Sequence, residues 1–150
     1  SDWQYGVEIR NRSLLQPAYF DVLRLHGVTH VYNNWQRMPS VAEQMEIEGS
    51  QTCEDFSAAR FLLKPGRGYE KAVESFSPYN STKEINAEAR QAAAELTRMR
   101  ADAAKHRKSK PSFLFINNRL EGNALNTIVA ILQNVGLLEK SGILKGQEPA

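Results

Sequence analysis

The chain has 150 residues, 41% hydrophobic and 24% charged, which is enough for one ordinary buried core and excludes a disordered or fibrous chain. A formal charge of +2 is too small to imply a polyanionic partner, and a lone cysteine, Cys53, excludes an internal disulfide and any multi-cysteine metal cage. No apolar run approaches the roughly 20 residues of a bilayer span, and no signal pattern opens the chain, so the composition predicts one soluble cytoplasmic domain.

A strand over residues 5–10 is followed by Pro17, suited to a first helical turn, and by an apolar set of Phe20, Val22 and Leu23 ending at Gly27. A second strand covers 29–34, and a short helix covers 41–48 before Gly49. A third strand at 58–64 stops at Pro65-Gly66, and a brief helix at 69–76 is stopped by Pro78. Ser81-Thr82-Lys83-Glu84 has capping-box spacing, after which Ile85, Ala89, Ala92, Leu96, Met99 and Ala103 recur at helical intervals on one face. The fourth strand, 113–118, precedes a helix marked by Ala124, Ile128, Ile131, Leu132 and Val135 and ended by Gly136. Four strand-helix alternations predict an α/β fold of four βα units on a parallel sheet, occupying 1–136, with a loose tail at 137–150.

Strand residues alternate between faces. One set, Val7 and Ile9, Val31, Phe61 and Leu63, Leu114 and Ile116, is expected to pack under the helices. The opposite set, Glu8 and Arg10, His30, Tyr32 and Asn34, Arg60 and Lys64, Phe113, Phe115 and Asn117, is unusually polar for a sheet covered on both faces and suits a barrel interior.

The strings VEIRN, LLKPGRGYEKAVESFSPY and, most specifically, NNRLEGNA resemble the YecE-like family, domain of unknown function 72, over residues 5–133. The resemblance implies a TIM barrel, and a whole one takes about 250 residues. With four βα units, this chain looks like the C-terminal half, strands five to eight. Its N-terminal half is then expected from elsewhere, or a second copy of the chain takes its place, because open parallel edges favour association. The resemblance supplies no reaction and no cofactor.

The polar strand ends mark one candidate site at the C-terminal edge of the sheet. Glu8 beside Arg10, Arg60 and Lys64 can act as base, metal ligand or structural counter-ion. Glu121 precedes a helix and can act as general acid, bind a divalent cation or simply meet the helix dipole. Lys64, Gly66 and Arg67, in the loop where the resemblance implies a phosphate site, suit an anion; the alternative is a turn with solvated cations. Asn34, Asn117, Asn118 and Asn123, with Arg119, Tyr32, Trp35 and Tyr69, can present amides and aromatic faces to a sugar or nucleoside, or the asparagines can serve as caps. His26 and His30 read as structural, and neither forms a metal-binding pair. The basic tract from Arg98 to Lys110 admits a nucleic-acid partner but also fits the C-terminal end of a helix. The leading expectation is a small polar, anionic ligand such as a sugar phosphate, with Glu8 and Glu121 as acid/base or metal-binding candidates. The alternative is a non-catalytic interaction module that uses the basic tract.

Overall fold

The structure, a computed structural model, describes residues 3–104 and 111–139, excepting the side chains of 100–104. Four parallel strands, β1 (Gly6–Val7), β2 (Thr29–Asn34), β3 (Ser57–Phe61) and β4 (Ser112–Ile116), lie in the order β1-β2-β3-β4. Between and after them run α1 (Pro17–Leu25), α2 (Val41–Met45), α3 (Tyr69–Phe76), α4 (Ala87–Ala104), α5 (Asn118–Glu121) and α6 (Ala124–Asn134). Sequential strand order with helical crossovers is the arrangement of half a TIM barrel, as expected.

The termini follow local chemistry. Pro17 opens α1, and His26 is its C-cap. Ser40 and Glu43 form a reciprocal capping box on α2, the Ser40 oxygen accepting from the Glu43 amide and the Glu43 carboxylate from the Ser40 amide. The box predicted at Ser81 does not form. The amides of Lys83 and Glu84 donate to the Glu121 carbonyl, and α4 starts only at Ala87, where the Asn86 side chain accepts from the Ala89 amide. Ile85 is consequently 64% exposed rather than packed. Among α4's early residues Ala89, Ala92, Ala93 and Leu96 are buried, while Met99 is about half exposed. On α6 the buried positions are Thr127 and Ile131. The packed unit also continues past Gly136: Leu138 is buried, and its amide donates to the Leu132 carbonyl.

One sheet face packs on the helices. Tyr32, Ala59, Phe61, Leu114 and Ile116 meet Val41, Ala89, Ala92, Ala93, Leu96, Leu120 and Ile131 there. The register then fixes the other face. Val31 pairs with Ala58 and Ala58 with Phe113, while Asn33 pairs with Arg60 and Arg60 with Phe115. This reverses the predicted division of β2: Val31 and Asn33, rather than His30, Tyr32 and Asn34, share a face with Arg60. Polar side chains can lie beneath the helices because each finds a partner. Tyr19 Oη lies 3.0 Å from His30 Nδ1, Ser50 Oγ lies 3.2 Å from Tyr32 Oη, and the Val41 amide donates to Asn34.

The second face is open toward its upper end. Below, Cys53 and Phe56 pack against Val31 and Ala58, and Phe56 meets Phe113 edge-on. Above, Phe115 is 56% exposed.

Candidate functional site

The inner-face polar residues converge just beyond β1 and along β2 and β3. Glu8 accepts from Arg10 Nε at 2.9 Å through one oxygen and from Arg60 Nη1 through the other. The carboxylate is largely enclosed, while both guanidinium side chains keep substantial solvent access. The Arg10 guanidinium lies 4.1 Å from the Trp35 ring centroid, a cation–π distance that fixes its orientation. Two cations against one anion leave this group with a net positive charge and unused donors.

A second group begins where Trp35 packs on Leu62, Leu63, Ala72 and Phe76. Arg67 lies over Phe76, 5.0 Å from the ring centroid. Glu84 accepts from Arg67 Nη2 at 2.6 Å and from Lys64 Nζ at 3.3 Å. The hydrogen bond from Arg67 is the main reason its carboxyl titrates below the usual carboxylate range. Arg67 Nη1 is buried without a protein partner. A third group is Arg119 over Tyr69, 4.6 Å from the ring centroid, with Nη1 3.5 Å from the phenolic oxygen. Tyr69 heads α3 and Phe76 ends it, so the three groups form a discontinuous cationic and aromatic rim.

Five predicted site residues do not join that rim. Asn34 is buried on the helix side, where its Oδ1 accepts from the Val41 amide at 2.7 Å. Asn117 accepts from the Arg119 amide, Asn118 from the Ala124 amide and Asn123 from the Asn126 amide. Asparagines following a strand thus satisfy the orphan amides of α2, α5 and α6. Asn123 also donates to the Tyr79 carbonyl, tying the start of α6 to the end of the α3 loop. Glu121 has 0% exposure and accepts from the Asn86 amide, the Arg90 guanidinium and the Thr127 hydroxyl. Its carboxylate is a buried structural hub, which corrects its placement at the mouth.

Sequence reasoning missed Asn33, Glu84 and Arg90. Asn33 faces the Arg60 side, donates to the Ile9 carbonyl and leaves a buried Oδ1 without a partner. Alternation from Val31 selects Asn34 as the inward residue, and with asparagine at both 33 and 34 nothing in the sequence opposes that choice. Capping-box spacing assigns Glu84 to a helix end, and nothing in the sequence sets Arg90 apart from the other cations of its amphipathic helix. In the basic tract, Arg98 donates to the Asn134 side chain and carbonyl, while Arg100 and residues 105–110 lie outside the described side chains. No described helix is long and apolar enough to cross a membrane.

A parallel βα sheet with cations gathered at its C-terminal strand ends places the molecule among α/β proteins built on the TIM-barrel plan. The match to the model of the protein family of unknown function DUF72 extends over residues 1–150, and the chain belongs to that family. Among solved structures, it is similar to a DUF72 family protein from Enterococcus faecalis, at 16% identity and a TM-score of 0.57, with 99% of this chain aligned to 52% of that one. A DUF72 family protein from Thermotoga maritima aligns at 18% identity and a TM-score of 0.55, over 89% of this chain and 45% of that one. The chain thus spans about half the length of these solved relatives. No curated protein matches it.

Proposed function

We propose that this chain binds a small polar anion, a sugar phosphate or a molecule of similar chemistry, at the C-terminal ends of its strands. The supporting observation is the Arg10–Glu8–Arg60 cluster: one enclosed carboxylate holds two solvent-accessible guanidiniums beside an indole face. A guanidinium already oriented by a carboxylate loses little side-chain freedom on meeting a phosphate, and its planar fork matches two phosphate oxygens. The Trp35 face suits the apolar side of a sugar ring. Lys64 and Arg67 add positive charge further along the rim, and Arg119 and Tyr69 flank α3.

Binding fits the geometry better than carboxylate catalysis. Both Glu8 oxygens accept from guanidiniums, and Glu121 is sealed beneath α4 and α6. Glu8 therefore serves as the positioning counter-ion. Calorimetric titration with inorganic phosphate and with glucose 6-phosphate tests the proposal. Arg60→Ala is expected to weaken both affinities at least tenfold, about 1.4 kcal/mol, and Arg60→Lys to restore only part of that loss. Unchanged affinities in Arg60→Ala, or no heat from the unaltered chain with either probe, would remove the proposal.

A further inference from the structure

We infer that Asn33 is a positioning residue of the cationic site: its carboxamide holds the segment after β1 by the Ile9 carbonyl and so presents Glu8 and Arg10 to Arg60 and to the anion. The inference deepens the ligand assignment and rests on it for the anion alone, because the tether itself follows from strand geometry. β1 pairs with β2 only at Gly6 with Thr29 and Val7 with His30. In a parallel ladder the main-chain donors on one side of a strand recur at every second residue. The Thr29 amide donates to the Tyr5 carbonyl, and the same offset of 24 positions links Asn33 to Ile9.

At Ile9 the main chain does not make that rung. Gln44, fully buried on α2, accepts from the Asn33 amide at 3.3 Å and donates to the Asn33 carbonyl at 2.6 Å. Its amide nitrogen is itself held by the Pro39 carbonyl at 2.7 Å. With both main-chain groups of Asn33 engaged by Gln44, the Ile9 carbonyl accepts instead from Asn33 Nδ2 at 2.9 Å. One carboxamide ends the β1–β2 ladder, and a second stands in for the missing backbone donor. The chain beyond Val7 leaves the sheet yet stays fixed to it.

That fixing matters because Glu8 and Arg10 flank Ile9. Glu8 reaches across β2 to Arg60 on β3, and Asn33 is the β2 residue in register with Arg60. Arg10 bonds to the same carboxylate and lies over Trp35. Asn33 is 0% exposed, and its Oδ1 has no partner among the described residues. An orphaned buried acceptor costs stability. Leucine, of similar size, would remove that cost but offer Ile9 no donor. The carboxamide is therefore a poor packing residue and a specific tether, and a guanidinium held in place before the anion arrives binds it with less ordering to be done.

Two measurements on Asn33→Leu test this, with circular dichroism and urea unfolding establishing that the variant folds. In a Trp3→Phe background Trp35 is the sole tryptophan, and Asn33→Leu is expected to shift its emission in the same direction as Arg10→Ala, since each takes the guanidinium off the ring. Calorimetry with inorganic phosphate is expected to show binding about fivefold weaker in Asn33→Leu, and a smaller loss when the substitution is made in Arg10→Ala, because Asn33 acts through that segment. Unchanged Trp35 emission overturns the inference, as does an equal fold-loss in both backgrounds, the mark of a general structural effect. Asn33→Ser, whose hydroxyl is too short for the tether, serves if leucine prevents folding, and failure of both variants to fold would show a structural role and overturn it too. If the unaltered chain takes up no phosphate, the ligand assignment falls while the emission comparison still judges the tether; phosphate bound equally well by the unaltered chain and Asn33→Leu does the reverse.

Discussion

His30 is a neutral imidazole sealed among Tyr19, Phe20 and Tyr32, with Nε2 unpartnered, and burial pushes its pKa down from 6.5 to about 4. The unfolded chain takes up this proton more readily, so the stabilisation is complete above about pH 6.5 and declines as pH falls toward 4. Denaturant unfolding at pH 7 and pH 5 should differ by about 2 kcal/mol from this residue. His30→Phe should remove most of that difference, whereas an equally steep pH dependence in the variant would show that the loss arises elsewhere. Glu121 is a different buried polar group, whose carboxylate oxygens accept from Arg90, Thr127 and the Asn86 amide. Glu121→Gln leaves Arg90 without its anion and is expected to cost about 3 kcal/mol in urea unfolding. A fully stable variant would show that Arg90 tolerates the loss of its anion.

At the scale of elements, short helices depend on their ends. Ser40→Ala removes half of the α2 capping box and should cost about 1 kcal/mol, measurable by thermal or urea unfolding. Gly122 closes α5 at φ 109°, and a Cβ there would stand 2.6 Å from the Ser81 carbonyl oxygen. Gly122→Ala should therefore cost about 2 kcal/mol through backbone strain and that clash; a neutral effect would mean that the loop before α4 yields easily. That close approach requires the one glycine of NNRLEGNA, and helix amides account for its three asparagines. Two helix starts, a left-handed turn and a buried carboxylate fall within eight residues, and most of its polar side chains serve the backbone. Read in isolation, those residues resemble ligand-binding groups, because helix amides and small-molecule ligands are recognised by the same donors and acceptors.

For the whole molecule, β2 and β3 are the central strands, and β1 pairs over only two residues. Hydrogen exchange should be slowest in the amides of β2 and β3 and faster in β1; uniform protection across all four strands would show that β1 is held by more than its two-residue pairing. The cationic rim is likewise a property of the assembled sheet. Glu8 and Arg60 are 52 positions apart in sequence, yet their ion pair joins the segment after β1 to β3.

Local sequence determined the number, kind and order of the main elements, since Pro17, Gly27, Gly49, Pro65-Gly66 and Gly136 act on the backbone through their own dihedral preferences. Strand alternation also groups Glu8 with Arg10, Arg60 and Lys64; the first three do meet, whereas Lys64 pairs with Glu84 instead. Tertiary structure alone decided which face of β2 looks inward, that Glu84 serves Arg67 and Lys64 rather than a helix cap, and that Glu121 is buried. The strand sequence around Asn33 and Asn34 is polar in both parities, and a carboxylate's partner is set by distance in space. Only strand register and helix docking supply that distance.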